Sequence, residues 1–136
     1  MNIRSYKIAE VAIRVSDLAV SEDFYRNIMG FKFHKRLPEV VFLEVGPLDS
    51  PLGAVDHPAL FALFKRDRPL NVAESSFDHI AFEVPPEDFA AERARYAEMG
   101  MVISERSWPD SLPWNGNASF FRDPDGNVIE IIAANR

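Results

Sequence analysis

The chain contains no cysteine. That single absence excludes disulfide scaffolds, zinc ribbons and thiol nucleophiles, and it leaves histidine and carboxylate side chains as the means of holding a metal. Histidine is scarce as well, with 3 in all, so few positions can supply an imidazole. No apolar run reaches the roughly 18 residues that a membrane-spanning helix requires. The stretch from Met1 to Glu10 lacks the apolar segment of a secretory signal, so a cytoplasmic protein without membrane contact is expected. Basic charge is in deficit, with 15 Lys and Arg against 21 Asp and Glu and a net charge of −6, and no basic run occurs. Nucleic acid is therefore not an expected partner, whereas uncharged or cationic small molecules fit better. A Gly-rich phosphate loop and a Ser-His-Asp arrangement are also missing.

What is present is enough apolar material for a core. Hydrophobic residues make up 47% of the 136 positions, with 11 Phe among them, which suits one ordinary domain or two small modules. Ile8 to Val15 reads as a strand, and Ser16 and Asp17 are the residue types that cap a helix. Val20, Phe24 and Ile28 then recur every four residues with Tyr25 and Met29 alongside, and Gly30 supplies the helix stop. Strands are expected at Phe31 to Arg36, Val40 to Val45 and Ala59 to Lys65. The last two flank a loop, Gly46 to Pro58, that holds three Pro and two Gly.

The same order then begins again. Phe77 to Val84 reads as a strand, Pro85 and Pro86 suit a helix entry, and Glu87 to Met99 has a helical pattern ended by Gly100. Strands at Met101 to Arg106, Asn117 to Arg122 and Val128 to Ala134 follow, the last two joined by the turn signal Asp123-Pro124-Asp125-Gly126. Glu10-Val11-Ala12-Ile13-Arg14-Val15 lies over His79-Ile80-Ala81-Phe82-Glu83-Val84 at an offset of 69 (79 against 10), and the stop glycines are offset by 70 (100 against 30). The chain thus reads as an α+β fold of two tandem βαβββ modules, 6–67 and 76–134, within one domain spanning 1–136.

These stretches resemble the vicinal oxygen chelate superfamily, which groups glyoxalase I, extradiol dioxygenases, fosfomycin-resistance enzymes, methylmalonyl-CoA epimerases and bleomycin-binding proteins. The matching segments are Val11 to Leu18 with Phe24-Tyr25 and Gly30-Phe31, then Asp78 to Phe82, then Phe121 to Asn127 leading to Glu130. The resemblance implies two cupped mixed sheets, a homodimer with shared clefts, and one divalent metal ion held on the first and last strands of the modules. Carried onto this sequence, the ligand positions are Glu10, Ala62, His79 and Glu130. Glu10 departs from the usual His or Gln, and Ala62 has no donor atom, so a fourth ligand would be water or substrate.

Strand alternation supports this set in part. Glu10, Ala12 and Arg14 share one face while Val11, Ile13 and Val15 form an apolar one, and His79 and Glu130 likewise lie opposite their helix-packing faces. Two carboxylates brought together cannot both ionise freely without a proton or a cation between them. One imidazole and two carboxylates, with no thiolate, favour Mn²⁺, Fe²⁺, Ni²⁺, Zn²⁺ or Mg²⁺. An isolated strand histidine is most often a satisfied core residue, and Glu10 could instead pair with a basic neighbour; the Asp78-His79-Ile80-Ala81 setting favours ligation.

The other candidates are weaker. Solvent exposure accounts for His34 and His57, with His57 kept as a further candidate base, and Trp108 and Trp114 flank a loop that packs as core or lines a pocket. Asn117-Ala118-Ser119 matches a glycosylation acceptor by chance, and Phe24-Tyr25 reads as core.

The expected function is a metal-dependent lyase, isomerase or dioxygenase acting on a small oxygenated substrate. Glu10 is the first candidate base if it does not bind the metal. The alternatives are a metal-free protein that sequesters a bleomycin-like drug and a partner domain with an inert cleft.

Overall fold

The computed structural model of the chain describes residues 8–46, 58–66, 77–107 and 114–134. Two compact units divide the polypeptide, Met1–Leu70 and Asn71–Arg136, and each carries one four-stranded mixed sheet backed by helix. In the first, β1 (Glu10–Val15), α1 (Leu18–Asp23), β2 (Lys32–Leu37), β3 (Val40–Val45) and β4 (Ala59–Lys65) form a sheet ordered β1-β4-β3-β2. In the second, β5 (Ile80–Val84), α2 (Pro86–Glu98), β6 (Val102–Ser107), β7 (Trp114–Arg122) and β8 (Val128–Ala134) repeat the order as β5-β8-β7-β6. The first and last strand of each unit run parallel and the other pairs antiparallel, as a helix crossover followed by hairpin steps requires. The repeat legible in the sequence is a repeat of structure.

The first helix is not the continuous α-helix expected up to Gly30. Asp17 caps it, its Oδ1 accepting from the Val20 N–H at 3.1 Å, but from Phe24 to Ile28 the backbone widens into a π-helical turn. The Met29 N–H reaches back five residues to the Phe24 carbonyl at 3.1 Å, which rotates the buried stripe. Val20, expected on that stripe, is therefore exposed, while Ser21, Phe24 and Tyr25 face the sheet. Gly30 and Gly100 both have positive φ, +81° and +69°, at the end of their helices, so the stop signals act through backbone geometry as expected.

Each unit has its own aromatic core. Tyr25 packs against Phe61 at 4.8 Å between ring centroids and stacks on Phe31 at 5.8 Å, over a floor of Val15, Val41, Leu43 and Leu63. In the second unit Tyr96 of α2 stacks on Phe121 of β7 at 4.3 Å, and burial raises the Tyr96 hydroxyl above its usual range. The turn after β7 is held by Asp123, a buried carboxylate that accepts from the Asp125 and Asn127 N–H groups at 3.0 and 2.8 Å.

Ser119 is the polar exception in this core. It is fully buried on β7, and among the described residues its hydroxyl has no hydrogen-bond partner. A buried hydroxyl without a partner costs about 1–3 kcal/mol, so Ser119→Ala should raise stability by about 1 kcal/mol, read as a higher urea midpoint at unchanged slope. The same burial closes the Asn117-Ala118-Ser119 acceptor motif.

On the helix side of the first sheet, Glu22 of α1 accepts a bidentate pair from Arg36 at 2.6 and 2.9 Å and a further bond from Arg26 at 2.8 Å. The hydrogen bonds from Arg36 hold the Glu22 carboxyl below its ordinary pKa, although burial opposes them. A depressed folded-state value gives stability that is present above the unfolded pKa and lost as pH falls through the folded one. The melting-temperature gap between wild type and Glu22→Gln should therefore be open at about pH 7 and close toward about pH 3. A gap unchanged by acid would mean the pair contributes through packing alone.

Candidate functional site

β8 is an inner strand of the second sheet, and Glu130 sits on it between Ala81 of β5 and Phe120 of β7. That position buries the carboxylate to 3% exposure. His79 comes just ahead of β5, on the face shared with Ala81, and the expected strand start at Phe77 moves to Ile80. From there its ring meets Phe120 edge to face at 5.5 Å, and its Nε2 lies 3.2 Å from Glu130 Oε1. The other ring nitrogen, Nδ1, lies 2.6 Å from the carboxylate of Asp78.

These contacts constrain the proton on the imidazole. Asp78 is open to solvent and its carboxylate only accepts when ionised, so Nδ1 is assigned as the donor to it. Nε2 then presents a lone pair toward a carboxylate oxygen. Two acceptors facing one another at 3.2 Å need either a second proton or a cation between or beside them. Donors at right angles around a metal with bonds of about 2.1 Å would lie about 3 Å apart, so the pair fits neighbouring positions on one ion. An imidazole whose far nitrogen is anchored by a carboxylate is also the usual setting of a metal-binding histidine.

Glu10 opens β1 in the first unit, paired in register with Leu60 of β4, and it is exposed. Among the described residues its carboxylate has no ion-pair or side-chain hydrogen-bond partner, so the alternative of a basic neighbour on an adjoining strand is not realised there. Ala62 pairs with Ala12 and is buried. Among the described residues no three His, Asp or Glu side chains are arranged so that they could hold a metal ion together; His79 and Glu130 meet, and Glu10 belongs to the sheet of the other unit. His57 and Trp108 lie outside the described residues.

Two features escaped the sequence reading. Asp78 was part of a motif but had no role, although a carboxylate next to a candidate ligand histidine is a signal that could have found it. His34, expected to be simply solvent-exposed, is exposed but pairs through Nδ1 with Glu44 Oε2 at 2.8 Å. Hairpin counting could not reveal that contact because the register of β2 on β3 shifts at His34 itself.

The tandem modules are those of a known family. Residues 7–131 match the glyoxalase/bleomycin resistance protein/dioxygenase superfamily, and the chain belongs to it. Among relatives, the glutathione transferase FosA of Serratia marcescens is 27% identical over 121 residues, covering 89% of this chain and 76% of its own. The metallothiol transferase FosB of Lysinibacillus sphaericus is 25% identical over 124 residues, covering 91% and 79%. The fold is shared with a single-site mutant of the fosfomycin resistance protein FosX from Listeria monocytogenes, whose structure was solved with Mn(II) and 1S,2S-dihydroxypropylphosphonic acid. That match has a TM-score of 0.68 at 19% identity, over 98% of this chain and 93% of that one.

Proposed function

We propose that the protein is a divalent-metal-dependent enzyme acting on a small molecule that carries two neighbouring oxygens. The observation that carries this reading is the pair His79 and Glu130, two lone-pair donors 3.2 Å apart with the imidazole anchored from behind by Asp78. A metal-binding relative by name, FosB, and the FosX complex with a vicinal diol support the same class of site. The metal would be Mn²⁺, Fe²⁺, Ni²⁺, Zn²⁺ or Mg²⁺, since no thiolate is available to favour softer ions.

His79 and Glu130 would hold the ion. When bound, it would supply positive charge against the negative charge that develops on substrate oxygen. Asp78 would keep the His79 ring in the ligating tautomer, and Phe120 would keep water from the buried side of Glu130. Glu10, unpartnered among the described residues, would complete the set as a ligand, in a cytoplasmic homodimer by joining His79 and Glu130 of a second copy. Lyase or isomerase chemistry through an enolate or alkoxide is the preferred reaction class, with oxygen chemistry behind it because a set with two carboxylates departs from the two-His, one-carboxylate iron triad.

The test is metal analysis of the purified protein followed by thermal unfolding with each ion. Free metal at about a thousandfold above Kd should add about 4 kcal/mol, and His79→Ala should remove that response. An equal response in both proteins, or none in the wild type, would sink the reading and favour metal-free sequestration of a drug-like ligand.

A further inference from the structure

A cavity of about 460 Å³ lies on the helix side of the second sheet, between α2 and the strands β6 and β7. Phe89, Ala90 and Arg93 of α2 form one wall, and Glu105 and Ser107 of β6 with Asn117 of β7 form the other. The ladders fix which side this is. Glu105 pairs with Ser119 and Ser107 with Asn117 on the face covered by α2, while Phe120 and Glu130 pair on the opposite face, where the His79 ring meets Phe120. The cavity is therefore separate from the His79–Glu130 pair.

An ion pair stands in its wall. Arg93 binds Glu105 through Nε at 2.6 Å and Nη2 at 2.8 Å, and both side chains stay nearly half exposed. The first unit has a counterpart with the charges exchanged, Glu22 of α1 with Arg36 of β2. Arg36 and Glu105 hold the same place in the repeat, the second ladder pair after a β-bulge at His34 in β2 and at Ile103 in β6. There the likeness ends. Val41 pairs with Arg36, but the smaller Ser119 pairs with Glu105, and its buried hydroxyl has no partner among the described residues. Glu22 also takes a bond from Arg26, whereas Arg93 and Glu105 bind only each other among the described residues.

The chemistry left over is that of an anion site. A guanidinium has five N–H donors and a side-on carboxylate takes two, so three of those on Arg93 stay available at the wall. Ser107 and Asn117 add a hydroxyl and a carboxamide, and Phe89 and Ala90 add apolar surface. Arg106 borders the space as well, so two arginines stand against one glutamate, a local balance of +1 in a chain of net charge −6.

From this geometry we infer that the cavity is a second ligand site, for a small monocarboxylate whose short apolar body lies against Phe89 and Ala90. The ligand carboxylate accepts from the Nη1 edge of Arg93 and from Ser107 and Asn117. Glu105 holds the guanidinium in place and repels a further negative charge, so a monoanion is preferred to a dianion.

Nitrogen-15 NMR of the chain tests it, with sodium L-lactate as the probe and sodium chloride at equal ionic strength as the reference. Lactate should give saturable amide shifts centred on residues 89–93, 105–107 and 117–119. Arg93→Gln and Asn117→Asp, both at exposed positions, should each weaken binding at least about tenfold, because one removes a charge-assisted donor and the other opposes the anion. His79→Ala should bind lactate as the wild type does. Shifts no larger than those with chloride, equal binding of uncharged lactamide, unchanged binding in either cavity variant, or loss of binding in His79→Ala would each overturn the inference.

Discussion

In Glu130→Leu, the metal-free protein is expected to unfold at or above the wild-type temperature while the stabilisation by divalent metal disappears. The two halves of that result come from one structural fact. Glu130 occupies an inner strand at 3% exposure, where a carboxylate is costly to keep and a leucine of similar volume packs against Ala81 and Phe120. Replacing an entire buried ion pair by well-packed apolar groups is often neutral or stabilising by about 1–4 kcal/mol, and here only the Glu130 half of the pair is buried. The His79 imidazole left behind is about a third exposed, so water can reach its Nε2. The response to metal, about 4 kcal/mol at a thousandfold excess over Kd, would lose its best-oriented oxygen. A carboxylate kept for stability would behave in the opposite way. Loss of about 3–5 kcal/mol in the metal-free variant, as when one member of a structural ion pair is removed, would mark Glu130 as a structural residue.

Phe61→Ala is expected to be the most damaging single change in the first unit. Phe61 is 1% exposed on β4, an inner strand, and its ring meets Tyr25 at 4.8 Å and Phe31 at 5.8 Å between centroids. Those contacts tie the π-helical turn and the segment after it to the sheet. Truncation removes the transfer free energy of the ring and leaves a cavity that neighbouring rings fill only in part, a loss of about 3–5 kcal/mol. Against a typical total of about 5–15 kcal/mol, that is enough to lower the urea midpoint substantially at unchanged slope. A loss under about 1 kcal/mol would show that the aromatic cluster closes over the gap and that the turn does not depend on it.

Residue by residue, the legible part of the fold was the part governed by local chemistry. Asp17 caps a helix because its side chain accepts a backbone N–H, and Gly30 and Gly100 end helices because they tolerate positive φ. The strand faces at Val11, Ile13 and Val15 followed from alternation. The π-helical turn was not legible, since Val20, Phe24 and Ile28 fit an α-helix, and the packing of Tyr25 from that turn on Phe61 of β4 is a contact between distant parts of the chain. The strand start at Phe77 was misplaced because the ladder with β8 begins only at Ile80 opposite Ile129, a boundary set by the partner strand.

At the site, the sequence by itself determined which atoms are available. With no cysteine and 3 histidines, a metal has only imidazole and carboxylate to bind, and strand parity puts His79 and Glu130 opposite the helix-packing faces. Tertiary structure decided the rest. A separation of 3.2 Å between His79 and Glu130 and a bulge turning His34 onto Glu44 both depend on which strands pair and in what register. Side-chain type is written in each residue, but distance between residues 51 positions apart, as His79 and Glu130 are (130 against 79), is set by hydrogen-bonded ladders that no local pattern encodes.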